Sequence, residues 1–521
     1  MDKKQVVIVG AGPAGLTAGY ELAKEDNYQI TILEENKQVG GISKTIEYKG
    51  NRMDLGGHRF FSKDDSIMQW WVNILPLQGA DSIDDILLKR DKQYQQGGAN
   101  PEQSDKVMLV RNRVSRIFYL RKFFDYPISL RLETFTNMGL WRTLKAGFGY
   151  IFSVIRKRKE TSLENFYINR FGKPLYEMFF ENYTEKIWGV HPSKLGADWG
   201  SQRVKGLSLM ELVKNVLYKP FKSKSISQKD TETSLIESFI YPKYGPGQLW
   251  EAVAADITNK GVAIKTNHCL IRLNIENNKV VSAVVKNDNG EQTIACDYLI
   301  SSMPIKDLVQ AIAGIEVPDE VKQVAANLPY RDFMTVGLLV NKLAIKNETK
   351  IKTWHNIVPD TWIYIQEADV KVGRLQIFNN WSPYMVKDLE NMVWIGLEYF
   401  CDEGDNLWEM SDEDFIKFAV DELASTGIID KSDVKDAVRV RVKKAYPSYY
   451  GSYYQLQKVI DFLNTIDNLY CIGRNGQHRY NNMDHSMLTG IEAANHILGK
   501  TSDKNEIWNI NTEKEYHETK K

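Results

Sequence analysis

The sequence predicts an α/β fold built around a parallel sheet, and the first 35 residues carry the main observations. Residues 5–9 (QVVIV) form a continuous β-branched run, as expected of a strand buried on both faces of a parallel sheet. A glycine-rich turn and a helical pattern follow at once, and residues 29–33 (QITIL) read as a second buried strand. The order strand, tight turn, helix, strand is typical of a βαβ unit.

Composition excludes several classes of protein. The 521 residues contain 67 Lys+Arg and 67 Asp+Glu, and this balance argues against non-specific nucleic-acid binding. The 43% hydrophobic and 26% charged residues are typical of a soluble globular protein. The four cysteines lie far apart without a CxxC pair, so we predict no metal site and a reducing compartment, the cytoplasm. The N-terminus shows no secretory signal pattern.

Residues 146–155 (AGFGYIFSVI) form the longest apolar stretch, too short for the roughly 20 residues of a membrane span. Four basic residues follow it directly, at positions 156–159. This pattern allows an amphipathic helix on a membrane surface, or a buried helix whose C-terminal dipole is matched by the cations. We favour the buried helix and predict no membrane span.

Gly10, Gly12 and Gly15 lie where a dinucleotide-binding fingerprint belongs, between the first strand and the first helix. The first glycine allows the tight turn, the second allows the backbone to approach a pyrophosphate, and the third allows close packing of helix on strand. Glu34 ends the second strand and is placed to accept a hydrogen bond from a ribose hydroxyl. The sequence therefore predicts a Rossmann-type nucleotide-binding domain.

Two further features favour FAD over NAD. Gly40 and Gly41 provide a second close backbone approach just after the second strand. Residues 470–474 read as a strand ending in glycine, and a helix follows from about 484, whose N-terminus would stabilise negative charge on a reduced flavin. The FAD-binding residues predicted on these grounds are Gly10, Gly12, Pro13, Ala14, Gly15, Glu34, Glu35, Gly40, Gly41, Gly473, Asp484 and Ser486.

Three motifs resemble those of the UDP-galactopyranose mutase family. Residues 172–189 (GKPLYEMFFENYTEKIWG) are similar to that family's helical-domain signature. Residues 54–61 (DLGGHRFF) and 473–480 (GRNGQHRY) resemble its two flavin-side motifs, and all three follow the family's order over roughly residues 5–498. Amine oxidases, desaturases and protoporphyrinogen oxidases have similar flavin-side motifs. The segment YTEKIWG is therefore the one that distinguishes the mutase family from them.

The resemblance implies an isomerase in which reduced FAD acts as a nucleophile through N5, with zero net redox change. It implies a nucleotide-sugar substrate of the UDP-galactose type, used for cell-surface polysaccharide or lipopolysaccharide synthesis. It also allows NAD(P)H as an external reductant of the flavin. The sequence leaves open whether the protein forms a homo-oligomer. Asn482 departs from the family, where many bacterial members have aspartate.

The resemblance also assigns residues to roles. His58 is expected beside the flavin, while Arg203 and Arg374 are expected to bind the substrate diphosphate, for which guanidinium forks are suited. The resemblance also implies that Gly57, Arg474, Asn482 and Met483 contact FAD. The aromatic residues expected to line the sugar and phosphate pocket are Tyr183, Trp188, Tyr399 and Tyr480.

The predicted organisation is a Rossmann-type FAD-binding domain with an inserted helical domain and a mixed or antiparallel substrate sheet. The predicted segments are 1–75, 240–305 and 465–500 for FAD binding; 107–239 for a mainly helical domain with a mobile loop; 306–464 for the substrate sheet; 77–106 for a surface insertion; and 501–521 for a loose tail. Two other functions stay open: a redox enzyme of the amine oxidase, protoporphyrinogen oxidase or desaturase type, and a flavin-bearing interaction protein without turnover.

Overall fold

The structure is a computed structural model that describes residues 3–90, 92–94, 96–126, 128, 132–197 and 238–511. Arg203, predicted to bind diphosphate, lies outside the described residues.

A five-stranded parallel sheet forms the nucleotide-binding core and confirms the predicted α/β fold. Its strands come from three separate parts of the chain, and the central ones are buried on both faces, with Ile8 and Ile32 at 0% exposure. In spatial order the strands are Leu469–Cys471, Tyr298–Ser301, Lys4–Val9, Tyr28–Leu33 and Ala263–Lys265.

The described residues form two further large sheets and two small ones. The seven-stranded sheet has the order Val434–Pro447, Tyr330–Val340, Val393–Cys401, Arg374–Ile377, Trp362–Ile365, Ser115–Tyr119 and Lys122–Asp125. The four-stranded sheet has the order Gly290–Ala295, Lys279–Asn287, Cys269–Glu276 and Ile312–Ala313. Two-stranded sheets pair Thr45–Tyr48 with Asn51–Asp54, and Met108–Asn112 with Ser238–Pro242.

Helices cover both faces of the parallel sheet and form a separate cluster between residues 132 and 197. The α-helices are Pro13–Leu22, Asp65–Ile74, Ile83–Leu88, Leu132–Met138, Leu140–Ile155, Leu163–Phe171, Lys173–Tyr176, Asn182–Trp188, Pro246–Asn259, Ile305–Ala311, Asp319–Ala326, Phe378–Trp381, Asn406–Glu409, Asp412–Ser425, Leu456–Asn464, Gly473–Gly476, Met483–Ile497 and Glu506–Asn509. A π-helix spans Glu177–Glu181, where one turn is widened.

The predicted boundary of the helical domain at residue 107 needs correction. The hairpin Ser115–Tyr119 and Lys122–Asp125 extends the seven-stranded sheet by pairing in parallel with Trp362–Ile365. The strand Met108–Asn112 pairs instead with Ser238–Pro242. Alternation of apolar and polar residues identifies such strands in the sequence. It does not identify the strands that they pair with, which lie over a hundred residues away.

The predicted surface insertion is firmly attached to the molecule. Its Asp84 is buried and pairs with the buried Arg111 at 2.9 Å, and Asp85 pairs with Lys92 at 2.7 Å. Arg111 holds the pKa of Asp84 well below its usual range, although burial alone would raise it. A buried ion-pair network therefore attaches residues 77–106 to the molecule, although polar residues such as Glu102 and Asp105 are exposed.

The start of the predicted loose tail is also ordered. Residues 506–509 form a helix with Ile507 and Trp508 buried, and Gln477 Nε2 donates to the Ile507 carbonyl at 2.7 Å. Residues 512–521 lie outside the described part of the chain.

The expectation of a buried helix at 146–155 is wrong. The helix Leu140–Ile155 turns small residues inward and leaves large apolar side chains in solvent, with Trp141 and Ile155 each 79% exposed. Within the described ranges, no helix has both the length and the apolar character that crossing a bilayer requires.

Candidate active site

The glycine-rich loop after the first strand forms one wall of a nucleotide cradle. Gly10 has a φ of +97°, and a Cβ on Gly15 would lie 1.9 Å from the Gly10 carbonyl oxygen. A Cβ on Gly12 would meet only backbone atoms of Gly41, the Cα at 3.7 Å and the amide nitrogen at 3.9 Å. Contacts within the protein therefore exclude a side chain at Gly15. At Gly12 they do not, and the space beside this glycine can hold a ligand.

Glu34 locks this loop to the second strand. Its Oε2 accepts from the Ala11 amide at 2.9 Å and its Oε1 accepts from the Asn36 amide at 3.0 Å. Oε1 also accepts from Asn36 Nδ2 at 2.7 Å, so the second acceptor position of Oε2 is the one at which a ribose hydroxyl can be bound. Glu35, the next residue, is exposed at the rim.

The second glycine pair lies opposite the first loop. The Gly40 amide donates to the Ala11 carbonyl at 2.8 Å, and both Gly40 and Gly41 have positive φ values. The helix Pro13–Leu22 starts between these loops, with Pro13 in its first turn. Its free amides and dipole face the space between the loops, as anion binding requires.

The C-terminal helix Met483–Ile497 packs directly on Pro13–Leu22. A Cβ on Gly490 would lie 2.4 Å from the Ala14 carbonyl oxygen, and one on Gly473 would lie 2.9 Å from Ala14 Cβ. The Gly473 amide donates to Thr489 Oγ1 at 2.8 Å. These contacts bring the two ends of the chain to one site.

The N-terminus of this helix opens on a deep cleft. Asn482 is its N-cap and lines the cleft together with Met483 and Asp484, while Ser486 is buried one turn further along. Asp484 Oδ2 accepts from Ser62 Oγ at 2.9 Å. The glycine loops, the anchored Glu34 and this second helix start fit a FAD-sized dinucleotide.

The cleft has a volume of about 400 Å³ and an excess of positive charge. Its described charged lining consists of four arginines and two carboxylates: Arg59, Arg113, Arg374, Arg474, Glu398 and Asp484. Gly57 and His58 also line the cleft. In the part of the chain that the structure describes, no group of three candidate metal ligands occurs.

Arg374 and Glu398 form the charged centre of the cleft. They lie opposite each other on neighbouring antiparallel strands, with Arg374 Nε 2.6 Å from Glu398 Oε2. Gln376 Nε2 donates to Glu398 Oε1 at 2.7 Å, and Arg374 Nη2 donates to the Tyr446 hydroxyl at 3.0 Å. Burial raises the pKa of Glu398, an effect that Arg374 counteracts. The guanidinium is therefore held in a fixed plane.

His58 carries no charge at neutral pH. Burial, with Arg474 and Arg374 nearby, lowers the pKa of His58 to about 3. Its Nδ1 is buried and lacks a hydrogen-bond partner among the described residues. A neutral imidazole with an unsatisfied nitrogen fits a site in which a polar ring, such as a flavin, completes the hydrogen bonding.

The helix Asn182–Trp188 presents Tyr183 and Trp188 to the cleft. Lys186 fastens this helix to the seven-stranded sheet, because its Nζ donates to the carbonyls of Ile365, Glu367 and Val372, each at 3.0 Å. Burial lowers the pKa of Lys186 to about 8. The lysine of the YTEKIWG segment is therefore a positioning residue.

Tyr480 and Arg474 line the cleft next to Trp188, whose ring centroid lies 6.3 Å from that of Tyr480. Tyr480 stacks on Tyr446 with ring centroids 5.7 Å apart, and the Arg474 guanidinium lies 4.6 Å from the Tyr480 ring centroid. Arg474 also donates to the carbonyls of Asn481 and Ala445, at 2.9 and 3.0 Å. Arg474 thus holds the loop and the aromatic pair in place.

The expectation that Tyr399 lines the cleft is wrong. Tyr399 is fully buried on the other face of its strand and packs on Phe415, with centroids 5.0 Å apart. Side chains alternate along a strand, so its neighbour Glu398 points into the cleft instead.

Sequence reasoning missed several residues that the structure places in the cleft: Arg59, Arg113, Tyr126, Tyr364, Glu398 and Tyr446. Glu398 could have been found from strand alternation, since it shares a face with Gly396 and Phe400. Tyr446 gave no such signal, because it reaches the cleft through pairing of its strand with Tyr330–Val340.

The family model for flavin containing amine oxidoreductases matches residues 13–498. Among curated proteins, a Staphylococcus aureus coproporphyrinogen III oxidase is 24% identical over 278 residues, covering 51% of this chain and 53% of that protein. A Siganus canaliculatus L-amino-acid oxidase is 44% identical over 72 residues, 13% of each chain. The chain thus matches about half the length of the first relative and a small part of the second.

Solved structures agree on the fold. A reduced UDP-galactopyranose mutase has a TM-score of 0.74 at 21% identity, covering 98% of this chain and 99% of that one. A putative protoporphyrinogen oxidase from an Exiguobacterium species has a TM-score of 0.65 at 16% identity, covering 96% and 100%. At these identities the likeness establishes a shared fold.

Proposed function

The chain belongs to the flavin-containing amine oxidoreductase family, and from that premise we propose that it is a FAD-dependent mutase. Its reaction would interconvert the pyranose and furanose forms of UDP-galactose, or of a close nucleotide sugar, for cell-surface polysaccharide synthesis in the cytoplasm. The observation that supports this proposal best is the charge of the cleft, where four arginines face two carboxylates. A substrate with a diphosphate group would balance that charge.

Arg374 is the residue best placed to bind the diphosphate. Glu398 and Tyr446 fix its guanidinium, so few rotamers are lost when an anion binds. Tyr183 and Tyr480 add phenolic hydroxyls to the same cleft. Charge-assisted hydrogen bonds from such a set would stabilise the diphosphate as it leaves the sugar.

When bound, reduced FAD would supply a nucleophilic nitrogen to the sugar. His58 would adjoin the ring as a neutral hydrogen-bonding group, since burial lowers its pKa to about 3. The N-terminus of the helix Met483–Ile497 would stabilise negative charge on the reduced ring. Asn482 at the cap is uncharged, so Asp484 is the acidic residue of the first turn that opposes this effect.

An oxidoreductase is the second candidate, and a specific feature of the cleft favours it. One wall consists of apolar side chains from the helical cluster, namely Phe171, Leu175, Phe179 and Phe180. Such a wall suits a large apolar substrate with acidic substituents, for which the arginines would also serve. The coproporphyrinogen III oxidase among the relatives gives this alternative additional weight.

Incubation of the holoprotein with UDP-galactopyranose, with and without dithionite, separates the two candidates. A mutase gives a product of identical mass under reducing conditions only, and Arg374→Ala greatly reduces its formation. Arg272→Ala, at an exposed arginine outside the cleft, is the matched control and leaves turnover unchanged. Peroxide formation from coproporphyrinogen or an amine, without sugar conversion, would instead establish the oxidoreductase.

A further inference from the structure

The helix Leu140–Ile155 has its amphipathic faces reversed relative to an ordinary surface helix. Its inward face carries the small residues Ala146 and Ser153, which are buried. Gly149 allows the closest contact, since a Cβ there would lie 2.3 Å from Pro174 Cδ. Close packing thus uses the small side chains, and the large ones have to point outward.

The outward face is large and apolar. We call it the outer face and define it by Leu140, Trp141, Phe148, Ile151, Phe152 and Ile155, which are 56–79% exposed. No described residue covers these side chains. Monomeric soluble proteins rarely expose a continuous patch of this kind, and such patches mark interaction surfaces.

Basic residues border the outer face. Lys145 lies on the helix beside the outer face, Arg142 lies on the same helical stripe as Gly149, and residues 156–159 (RKRK) follow the last turn, all of them exposed. Within the basic run, Lys157 Nζ donates to the Asn169 carbonyl at 2.7 Å and Arg158 Nη1 to Asn165 Oδ1 at 3.4 Å. The whole chain has a formal net charge of zero, so these six cations represent a local charge separation. Glu160, the next acidic residue, forms an ion pair with Arg170 at 2.8 Å.

We propose that this helix docks the protein on the surface of an anionic lipid bilayer. The outer face would enter the boundary between headgroups and acyl chains, and Lys145 together with Arg156 and Lys159 of the basic run would contact lipid phosphates and carboxylates. The helix has 16 residues and spans about 24 Å at 1.5 Å per residue, so it lies in the plane of the membrane rather than across it.

The charge around the outer face favours a membrane over a second copy of the chain as the partner that covers it. A twofold dimer through the outer face would bring two identical sets of six cations together, which costs free energy. An anionic bilayer matches both the apolar and the basic part of the surface. Since the inward face packs in the same core as Ile117 and Phe179, which line the cleft, docking would place a cleft wall against the membrane-bound helix.

Vesicle co-sedimentation of the full FAD-loaded chain tests the proposal. We expect binding to vesicles of phosphatidylcholine with about a third phosphatidylserine, and little binding to pure phosphatidylcholine. Binding should weaken when salt rises from about 0.1 M to about 0.5 M, because the Debye length shortens. Absence of binding to anionic vesicles at the lower salt concentration would overturn the proposal.

Two sets of variants locate the surface. Trp141→Glu with Phe148→Glu should weaken binding about tenfold or more, whereas the matched control Ile271→Glu with Ile351→Glu, at exposed positions elsewhere, should not. Neutralising the basic run should have a similar effect, whereas neutralising four exposed lysines of another loop should not. The first set is Arg156→Gln, Lys157→Gln, Arg158→Gln and Lys159→Gln, and its control is Lys342→Gln, Lys346→Gln, Lys350→Gln and Lys352→Gln.

Normal flavin absorbance in each variant shows that the fold is intact. Equal binding by the outer-face variants and their controls would contradict the proposal. So would a dimer in light scattering that Trp141→Glu with Phe148→Glu converts to monomer while vesicle binding is unaffected, because the outer face would then be a contact between protein chains.

Discussion

The nucleotide cradle and the substrate cleft are built in different ways. The cradle is defined mainly by backbone: Gly15 and Gly490 are required because main-chain oxygens lie where their side chains would be, and Gly10 because its φ is +97° and Ser302 Oγ would lie 2.1 Å from its Cβ. The cleft is defined by side chains, of which Arg374, Glu398 and Tyr446 come from three strands of one sheet. A site made of backbone depends on local spacing, whereas a site made of side chains depends on sheet register.

The largest effect should come from the cradle and distinguish its two kinds of glycine. Gly15→Ala places a Cβ 1.9 Å from the Gly10 carbonyl oxygen, so we expect about 3 kcal/mol of destabilisation together with loss of FAD. Gly12→Val meets no close protein atom at Cβ and should fold, but its side chain would occupy the ligand space and prevent FAD binding. Urea unfolding and visible absorbance measure the two properties.

Gly147→Ala is a matched control for these substitutions. Gly147 lies inside the helix Leu140–Ile155 with no atom within 4 Å of a built Cβ, so the change should stabilise by about 0.5–1 kcal/mol with normal flavin content. Yellow, normally stable Gly15→Ala protein would show that backbone contact does not define the cradle.

This difference explains what could be predicted from the sequence. The spacing of Gly10, Gly12, Gly15 and Glu34 was sufficient to place the cradle loop, because all four belong to one strand–turn–helix–strand unit. The cleft was predicted less accurately. Tyr399 was assigned to it although strand alternation directs Glu398 there, and Tyr446 depends on a pairing between strands about a hundred residues apart.

In the cleft, Arg374 should give the next largest effect. Arg374→Ala removes charge-assisted hydrogen bonds of about 1.5–3 kcal/mol, which corresponds to roughly 10- to 150-fold weaker UDP binding in calorimetry. Glu398→Gln removes the opposing charge 2.6 Å away and should instead strengthen UDP binding. Unchanged affinity in both variants would mean that this ion pair only supports the sheet, and Arg272→Ala controls for general charge loss.

Asp54 lies between the two regions and should make stability depend on pH. Burial raises its pKa to about 8, although the Tyr241 hydroxyl donates to it. The folded state therefore keeps a proton that the unfolded state loses above about pH 4. The contribution of Asp54 to the free energy of unfolding is fully present below about pH 4. It declines by up to about 1.4 kcal/mol per pH unit as the pH rises to about 8.

Asp54→Asn, which keeps the shape and stays neutral, should flatten this slope in urea titrations across that range. Asp256→Asn, at an exposed residue of the helix Pro246–Asn259, should leave the slope as it is. Identical slopes in Asp54→Asn and the unmodified protein would show that the carboxyl is ionised when folded, and that its surroundings are more polar than its burial indicates.

The smallest effect tests the strand face directly. Tyr446→Phe removes the hydroxyl that accepts from Arg374 Nη2 at 3.0 Å. Water in the cleft can partly replace it, so we expect a loss of about 0.5–1.5 kcal/mol, or roughly 2- to 12-fold weaker UDP binding. Tyr399→Phe should leave UDP affinity unchanged, because its ring packs on Phe415 behind the strand. If Tyr399→Phe weakened UDP binding and Tyr446→Phe did not, the strand Val393–Cys401 would have to present its other face to the substrate. This pair of variants therefore tests which face of each strand points into the cleft, a property set by the register of the sheet and not by motif spacing.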